Sequence, residues 1–168
     1  MAVVSSAAAG LRAAPRATVL QLRAPLLSTA ELEREARALV VSSPIPVLVS
    51  SRCDLCLAVG ADGVNLPARD IGVPDAREIL GRRLVGRSVH SLDEALAAAG
   101  DGADFVIFGP VWHSATHPGA AAAGVDALAR VARAVKVPVI AIGGLTDARI
   151  AECEAAGAAG YAAIRLFQ

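Results

Sequence analysis

The feature of the sequence that most constrains its fold is a repeated transition from an alanine-rich segment through glycine into a short apolar run. It occurs as AVGADGVNL (58–66), GDGADFVIFG (100–109) and AAGAAGYAAI (155–164). Glycine after a helical segment is typical of a helix C-terminus, because it takes the left-handed backbone conformation without steric cost. Each repeat therefore predicts a helix that ends at glycine and leads into a buried strand.

The reverse transition, from strand into helix, is marked by capping residues. Ser28 with Glu31, and Ser91 with Glu94, have the spacing of a capping box, and Thr146 precedes a further helical segment. The strands are continuous apolar runs without polar alternation, as expected of parallel strands that are covered on both faces. The sequence thus predicts strands and helices in strict alternation.

The pattern predicts eight strands. They span residues 2–5, 17–22, 46–50, 62–66, 84–87, 104–108, 138–142 and 160–164. Eight strands that alternate with helices form either a closed barrel or a long open sheet. No Gly-x-Gly-x-x-Gly turn follows a strand, so the open dinucleotide-binding sheet is disfavoured. We therefore predict an α/β protein with a (β/α)₈ TIM barrel in one domain, residues 1–168.

The predicted barrel is a short one. A (β/α)₈ barrel typically has about 250 residues, and about 200 at the lean end, whereas this chain has 168. The shortfall is expected at the two ends, as an abbreviated first unit and a missing last helix.

Composition limits the partners of the chain. The residues are 55% apolar and the formal net charge is zero, so nothing draws the surface to nucleic acid or to an anionic membrane. No apolar run reaches the ~20 residues that a membrane span needs. The sequence predicts a cytoplasmic protein without nucleic-acid or membrane partners. A homodimer stays open, since nothing in the sequence sets the oligomeric state.

In a TIM barrel the chemistry lies at the C-terminal ends of the strands. That rule selects Gln21 and Arg23, residues 50–52, residues 65–70, residues 87–90, residues 109–117, Gly143 and Gly144, and Arg165. Gly143 and Gly144, together with the amides after the eighth strand, predict a cradle of N–H groups for a phosphate, although these glycines could serve only a tight turn. With Arg23 and Arg52 as cations, the set predicts a small-molecule phosphate substrate.

The remaining polar candidates at these strand ends are a carboxylate and three histidines. Asp70 is a single carboxylate, and a metal site would want a second one nearby. His90 lies beside a predicted helix cap, where it either packs or binds substrate. His113 and His117 lie in a loop interrupted by prolines, so a two-histidine metal pair is disfavoured and a general acid or base is favoured.

From about Val19 to Ile164 the sequence resembles the thiamine phosphate synthase and TenI superfamily. The matching strings are VLQLRAP, SSRCDLCLAVGADGVNLP, GRSVHSLDEAL, ADFVIFGPVW, THPG, GVDALARVARAVKVPVIAIGGLT and AGAAGYAAI. The fold of that family is the (β/α)₈ barrel. The resemblance therefore implies the same fold as the strand pattern.

The synthases of this family join a hydroxymethylpyrimidine diphosphate to a thiazole phosphate and use Mg²⁺. The resemblance implies that Gln21, Arg23 and Arg52 bind substrate and that Asp70 binds the metal ion. On the thiazole-phosphate side, it implies substrate-binding roles for the residues that this sequence keeps. These are Ser88, His90, Gly109, Gly143 and Gly144.

Several positions of the synthase pattern differ in this chain. Pro25 stands where the family has a lysine, and Ser50 and Ser51 replace an asparagine and a metal-binding aspartate. His117, which the resemblance implies as a substrate-binding residue, replaces a second lysine that holds the diphosphate. All of these replacements fall on the diphosphate and metal side. Fewer charges there should cost several kcal/mol of transition-state stabilisation.

That asymmetry resembles the TenI branch, whose members tautomerise a thiazole carboxylate phosphate. The chemistry moves protons and needs no cofactor. TenI proteins have a histidine where this chain has Pro110, so His113 is the expected catalytic residue. The sequence thus predicts a TenI-like protein of thiamine biosynthesis. The alternatives are a thiamine phosphate synthase, with Mg²⁺ as its cofactor, and a non-catalytic regulator that binds a phosphate ligand.

Overall fold

The computed structural model describes residues 1–113, Gly119 and residues 121–168, and these contain eight short strands. The strands are β1 (Ala2–Val4), β2 (Leu20–Leu22), β3 (Val47–Ser50), β4 (Gly63–Leu66), β5 (Leu84–Val89), β6 (Phe105–Phe108), β7 (Val139–Ile142) and β8 (Gly160–Ala162). Each lies at a position predicted from the apolar runs. Their bounds differ from the predicted ones by three residues or fewer.

Seven α-helices alternate with the strands. They are α1 (Ala7–Ala13), α2 (Thr29–Ser42), α3 (Cys53–Val59), α4 (Val73–Leu80), α5 (Leu92–Gly100), α6 (Val125–Ala134) and α7 (Asp147–Ala155). After β8 the chain forms a single 3₁₀ turn over Arg165–Phe167. The first helix has only 7 residues, so the abbreviated first unit is as predicted.

All eight strands pair in parallel in the order of the sequence, from β1 to β8. Ala2 and Ala163 form an isolated parallel bridge between the first and last units. Two backbone hydrogen bonds support this bridge, from the Val3 N–H to the Ala163 oxygen at 2.9 Å and from the Ala163 N–H to the Met1 oxygen at 3.2 Å. The eight strands thus form a nearly closed TIM barrel, as the sequence predicted.

The interior of the barrel is filled by a small apolar cluster. Leu48, Phe105 and Ile107 form it, with Ile140 and Ile142 packed against them. A larger core lies between the strands and the surrounding helices. The barrel is therefore a packed structure that opens only at one end, where its polar residues lie.

The helix starts follow the predicted caps in part. Ser28 and Glu31 form the full capping box, with each side chain bonded to the backbone N–H of the other. The Ser91 hydroxyl accepts from the Glu94 N–H at 3.1 Å, but the Glu94 carboxylate accepts from the His90 N–H instead. Thr146 precedes α7, yet its hydroxyl makes no capping hydrogen bond.

The three cysteines are free and buried. Cys56 is fully buried and its thiol donates to the Ala61 carbonyl oxygen at 3.6 Å. Burial raises the pKa of the Cys56 thiol to about 11 and also raises the pKa of the Cys53 and Cys153 thiols. These cysteines act as small apolar side chains of the core.

We therefore expect none of the three thiols to react quickly with a disulfide reagent at pH 8 in the native protein. A raised pKa leaves less thiolate at that pH, and the thiolate is the reacting species. Absorbance at 412 nm during incubation with Ellman's reagent measures the reaction, and the same protein in guanidinium chloride should release three equivalents. Rapid labelling of one thiol in the native protein would contradict this assignment.

Within the described ranges, no helix is long and apolar enough to cross a bilayer.

Candidate active site

The C-terminal ends of the strands surround an open cavity of about 680 Å³. A cavity of this size is sufficient for one or two small organic ligands. Eight of the residues to which the sequence analysis gave a binding or catalytic role line it: Gln21, Arg23, Ser88, His90, Gly109, His113, Gly143 and Gly144. The structure thus brings most of the predicted site residues together.

The walls of the cavity differ in polarity around the barrel. Gln21, Ser50, Asn65 and Ser88, from β2 to β5, present amides and hydroxyls. The other wall is apolar and includes Val3, Ile107 and Ile142. We call the polar wall from β2 to β5 the polar floor of the cavity. A flat heterocycle with one polar edge and apolar faces matches a cavity with these two walls.

The glycine pair after β7 approaches the loop after β6 very closely. Gly143 and Gly144 have φ of 98° and 66°, and a Cβ atom on Gly144 would lie 2.5 Å from the backbone oxygen of His113. The Gly143 oxygen accepts from the Trp112 N–H at 3.1 Å. Both positions therefore require glycine for conformation and for space.

Around this glycine pair, several backbone amides remain free. The N–H groups of Gly144, Leu145 and Ile164 have no hydrogen-bond partner among the described residues, and all three residues line the cavity. Free N–H groups at such a position can donate to phosphate oxygens. Arg165 lines the same part of the cavity and adds a positive charge.

Arg149 of α7 fixes the glycine pair from behind. Its Nη1 donates to the Gly144 oxygen at 2.6 Å, and its guanidinium lies 5.0 Å from the centre of the Trp112 ring. The two contacts join the loops that follow β6 and β7. No sequence pattern singled out Arg149. One of its partners, Trp112, is distant in the sequence, and the other is a backbone oxygen, which no residue type reveals.

His90 contacts the strand end beside it. Its Nδ1 lies 2.5 Å from the Gly109 oxygen, and because a carbonyl oxygen can only accept, Nδ1 must carry the proton. Nε2 is then the basic nitrogen of the ring. His90 therefore joins β5 to β6 at the mouth of the cavity, and its role in substrate binding stays a prediction.

The two histidines of the loop after β6 have different outcomes. His113 is exposed and lines the cavity, close to Gly144. His117 lies outside the described residues, so its predicted role in substrate binding stays a prediction.

Arg23 and Arg52, the two predicted cations, are placed differently. Arg23 is exposed at the cavity, and its guanidinium makes no ion pair within the described part of the chain. Arg52 does not line the cavity. Its Nη2 lies 2.7 Å from Asp54 Oδ2, and this hydrogen-bonded pair lowers the pKa of the Asp54 carboxyl to about 2. Arg52 is therefore engaged by its own helix, whereas Arg23 is available to a ligand.

Asp70 lies in the loop between β4 and α4 and contacts Ser51. The Ser51 hydroxyl donates to Asp70 Oδ2, and the Ile71 N–H donates to Oδ1 at 2.8 Å. Ser51 itself has φ of 72°, an uncommon conformation for a residue other than glycine. Ser51, which stands where the resembling family has a metal-binding aspartate, thus supplies a hydroxyl that orients Asp70.

The donor set around Asp70 fits Mg²⁺ only in a minimal form. Among residues 1–113, Gly119 and 121–168, no three His, Cys, Asp or Glu side chains are grouped as for a metal site. Mg²⁺ is, however, often held by one or two carboxylates together with the phosphates of a substrate. Asp70 does not itself line the cavity, but with the Ser51 hydroxyl bonded to it it would satisfy that arrangement if a diphosphate supplied the other ligands.

Arg87 lies within the selected strand-end range 87–90, but the sequence predicted no role for its side chain. Its guanidinium donates to the carbonyl oxygens of Ala68 at 2.8 Å and of Ile71 at 2.6 Å. These two carbonyls flank Asp70 in sequence, so Arg87 holds the loop that carries the carboxylate. An arginine at the end of a predicted apolar strand was the available signal.

The fold and the cavity define a class of protein, a TIM-barrel protein with an open cavity at the C-terminal ends of its strands. Residues 2–167 match the family model described as thiamine monophosphate synthase. The chain is 41% identical over 152 residues to the thiamine-phosphate synthase of Chloroflexus aurantiacus, covering 88% of this chain and 70% of that protein. The chain belongs to the thiamine monophosphate synthase family.

Other relatives agree with that assignment. The thiamine-phosphate synthase of Anaeromyxobacter dehalogenans is 42% identical over 164 residues, covering 96% of this chain and 73% of that protein. The solved structure of a thiamine phosphate pyrophosphorylase from Pyrococcus furiosus superposes with a TM-score of 0.88 at 31% identity, covering 97% and 84% of the two chains.

The prediction of a TenI-like thiazole tautomerase is wrong. The relatives at 41% and 42% identity and the solved structure carry the names of the synthase or pyrophosphorylase. The prediction gave too much weight to the missing charges near the diphosphate. That side of the site keeps the Asp70 carboxylate, which Ser51 orients, and Arg23, whose guanidinium makes no ion pair within the described part of the chain.

Proposed function

We propose that the chain is a thiamine phosphate synthase, which joins hydroxymethylpyrimidine diphosphate to thiazole phosphate and releases diphosphate. The observation that carries the proposal is the cavity itself. It has free backbone amides at β7 and β8 on one side, and Arg23 with a polar floor from β2 to β5 on the other. The names of the relatives point to the same reaction.

The thiazole phosphate fits the amide cradle. The N–H groups of Gly144, Leu145 and Ile164 can donate to its phosphate oxygens, and Arg165 adds charge. With the phosphate at the rim, the uncharged thiazole ring extends toward the apolar wall of Ile107 and Ile142.

The pyrimidine diphosphate fits the opposite side. Its ring can bind over the polar floor, with its diphosphate toward Arg23 and the loop of Asp70. When bound, Mg²⁺ would be held by Asp70 and would neutralise charge on the departing diphosphate. The role of Ser51 is to orient the Asp70 carboxylate, and that of Arg87 is to fix its loop.

The proposed reaction needs the two substrates in contact at the centre of the cavity. A bond forms between the thiazole nitrogen and the methylene carbon of the pyrimidine, while the bond from that carbon to the diphosphate oxygen breaks. The electron pair of the broken bond leaves with the diphosphate. Holding both phosphates at opposite sides of one mouth aligns the reacting atoms between them, which is a gain from proximity.

The test is to incubate the protein with both substrates and Mg²⁺ and to measure thiamine phosphate by fluorescence after oxidation. We expect stoichiometric thiamine phosphate and diphosphate, with neither formed when one substrate is omitted. No product at micromolar protein, with thiazole phosphate still raising the melting temperature, would contradict the proposal and leave a binding protein.

Replacing Asp70 with asparagine should lower kcat and raise the Mg²⁺ concentration needed for half-maximal rate. The change keeps the shape of the side chain and removes its negative charge. Asp70 is the only carboxylate among the described residues that we assign to the metal. Loss of such charge stabilisation costs roughly 10²- to 10³-fold in rate. The measurement is the steady-state rate over a Mg²⁺ titration.

Asp93→Asn is the matched control for Asp70→Asn. Asp93 is exposed in the first turn of α5 and does not line the cavity. It should keep the wild-type Mg²⁺ dependence. A wild-type rate and Mg²⁺ dependence in Asp70→Asn would remove this residue from the proposed metal site.

A further inference from the structure

The buried carboxamide of Asn65, on β4, has one atom without a partner. The residue is 3% exposed, and its Nδ2 donates to the Ser88 hydroxyl at 3.0 Å. Its Oδ1 is buried and accepts no hydrogen bond from the described residues. A buried acceptor without a donor costs about 1–3 kcal/mol, so its presence in a strand needs an explanation.

Asn65 is part of the cavity floor. It lies between Ser50 of β3 and Gly86 of β5 in the strand register, and it lines the cavity together with Gln21 and Ser88. Neither neighbour in the strand register bonds to Oδ1, because Gly86 has no side chain and the Ser50 hydroxyl makes no hydrogen bond to this oxygen. A donor for Oδ1 therefore has to come from the cavity, where a bound ligand can take the place of water.

The two substrates of the proposed reaction differ in their donors. The hydroxymethylpyrimidine ring carries an amino group with two N–H donors, whereas the thiazole ring carries no N–H or O–H. A carboxamide oxygen can only accept. Of the two rings, only the pyrimidine can satisfy Oδ1.

We propose that Asn65 is a specificity-determining residue, whose Oδ1 accepts a hydrogen bond from the ring amino group of the pyrimidine substrate. The inference rests on the proposed function for the identity of the ligand. It adds a position on β4 that selects the pyrimidine by its amino group. The bond from Nδ2 to Ser88 fixes the carboxamide, so Oδ1 is oriented before the ligand binds.

The test measures binding apart from turnover. The probes are the monophosphate of hydroxymethylpyrimidine, which lacks the leaving diphosphate, and the same compound with hydrogen in place of the amino group. Calorimetry gives the dissociation constant of each. We expect wild type to prefer the amino compound by roughly 10- to 100-fold, as one buried hydrogen bond predicts.

Two substitutions at this position separate the acceptor from the shape of the side chain. Asn65→Leu removes the acceptor at similar volume and should reduce the preference to less than about threefold, while Asn65→Asp keeps an acceptor and should retain a preference. The control is Ile107→Val on the apolar wall, which should change both affinities equally. Far-UV circular dichroism and the melting temperature, measured in parallel, report whether each variant is folded.

Two results would overturn the inference. Asn65→Leu could keep the full preference for the amino compound, or it could weaken both probes equally, which would mean that Asn65 only positions Ser88. The proposed function is judged separately, by whether wild type forms thiamine phosphate. A synthase whose Asn65→Leu variant keeps the preference would sink the inference alone.

Discussion

Gly86→Ala is expected to destabilise the barrel by about 1–3 kcal/mol or more, the cost of overpacking a closed core. A Cβ at Gly86 would lie 2.1 Å from Phe105 Cζ and 2.3 Å from Cε2. The Phe105 ring is only 8% exposed and fills the barrel interior with Leu48 and Ile107. Because neighbouring strands surround it, the ring cannot move without disturbing them. Urea denaturation followed by circular dichroism measures the loss.

Two companion variants make the Gly86 result specific. Gly100→Ala, at the end of α5, places its Cβ where nothing lies within 4 Å, so it should be neutral or stabilising by up to about 1 kcal/mol. Phe105→Leu in the Gly86→Ala background should restore part of the stability by removing ring atoms. A wild-type urea midpoint for Gly86→Ala would show that the interior is not packed as described.

Gly143→Ala is expected to raise KM for thiazole phosphate by roughly 10- to 100-fold. This is the expected cost of moving backbone N–H donors away from the phosphate oxygens that they would bond. Gly143 has φ of 98°, and its Cβ would lie 2.6 Å from Pro110 Cα, a backbone atom. The loop after β7 must then move, and the free amide of Gly144 moves with it. Initial rates over a range of thiazole phosphate at saturating pyrimidine diphosphate measure the change.

Gly157→Ala is the control for backbone strain at Gly143. Gly157 also has a positive φ, 91°, but its nearest neighbour would be Ala132 Cβ at 3.4 Å, far from the cavity lining. Its substitution should cost about 1–2 kcal/mol of stability from the left-handed backbone alone and leave KM unchanged. If both variants raise KM equally, the effect comes from general instability and the cradle assignment fails.

The architecture was accessible from the sequence because its signals are local and repeated. Gly60, predicted to end a helix, has φ of 74° and follows the last residue of α3 in the structure. The apolar runs predicted all eight strands because parallel strands are covered on both faces. The exact strand ends were less accessible, since hydrogen bonding to the neighbouring strand decides them.

The site was accessible only as a set of positions. Strand-end positions predicted which residues surround the cavity, but not the partners of each side chain. Arg52 was expected to face substrate, and its near neighbour Asp54 holds it instead. The side chain of Asn65 bonds to Ser88, which is 23 residues away in the sequence. Arg149 bonds to the backbone oxygen of Gly144, five residues away. Such pairings arise from the folded geometry, which a residue pattern does not contain.

The narrow closure between β1 and β8 gives ligand binding a second consequence. The Ile164 amide that we assign to the phosphate follows Ala163, whose backbone closes the barrel against Val3 and Met1. A phosphate bound there recognises only the closed form, so it must shift the opening equilibrium of this seam toward closure. The amide protons of Val3 and Ala163 should therefore exchange with deuterium more slowly once thiazole phosphate is bound. The affinity for thiazole phosphate and the rate of amide exchange at the seam then both depend on the opening equilibrium between β1 and β8.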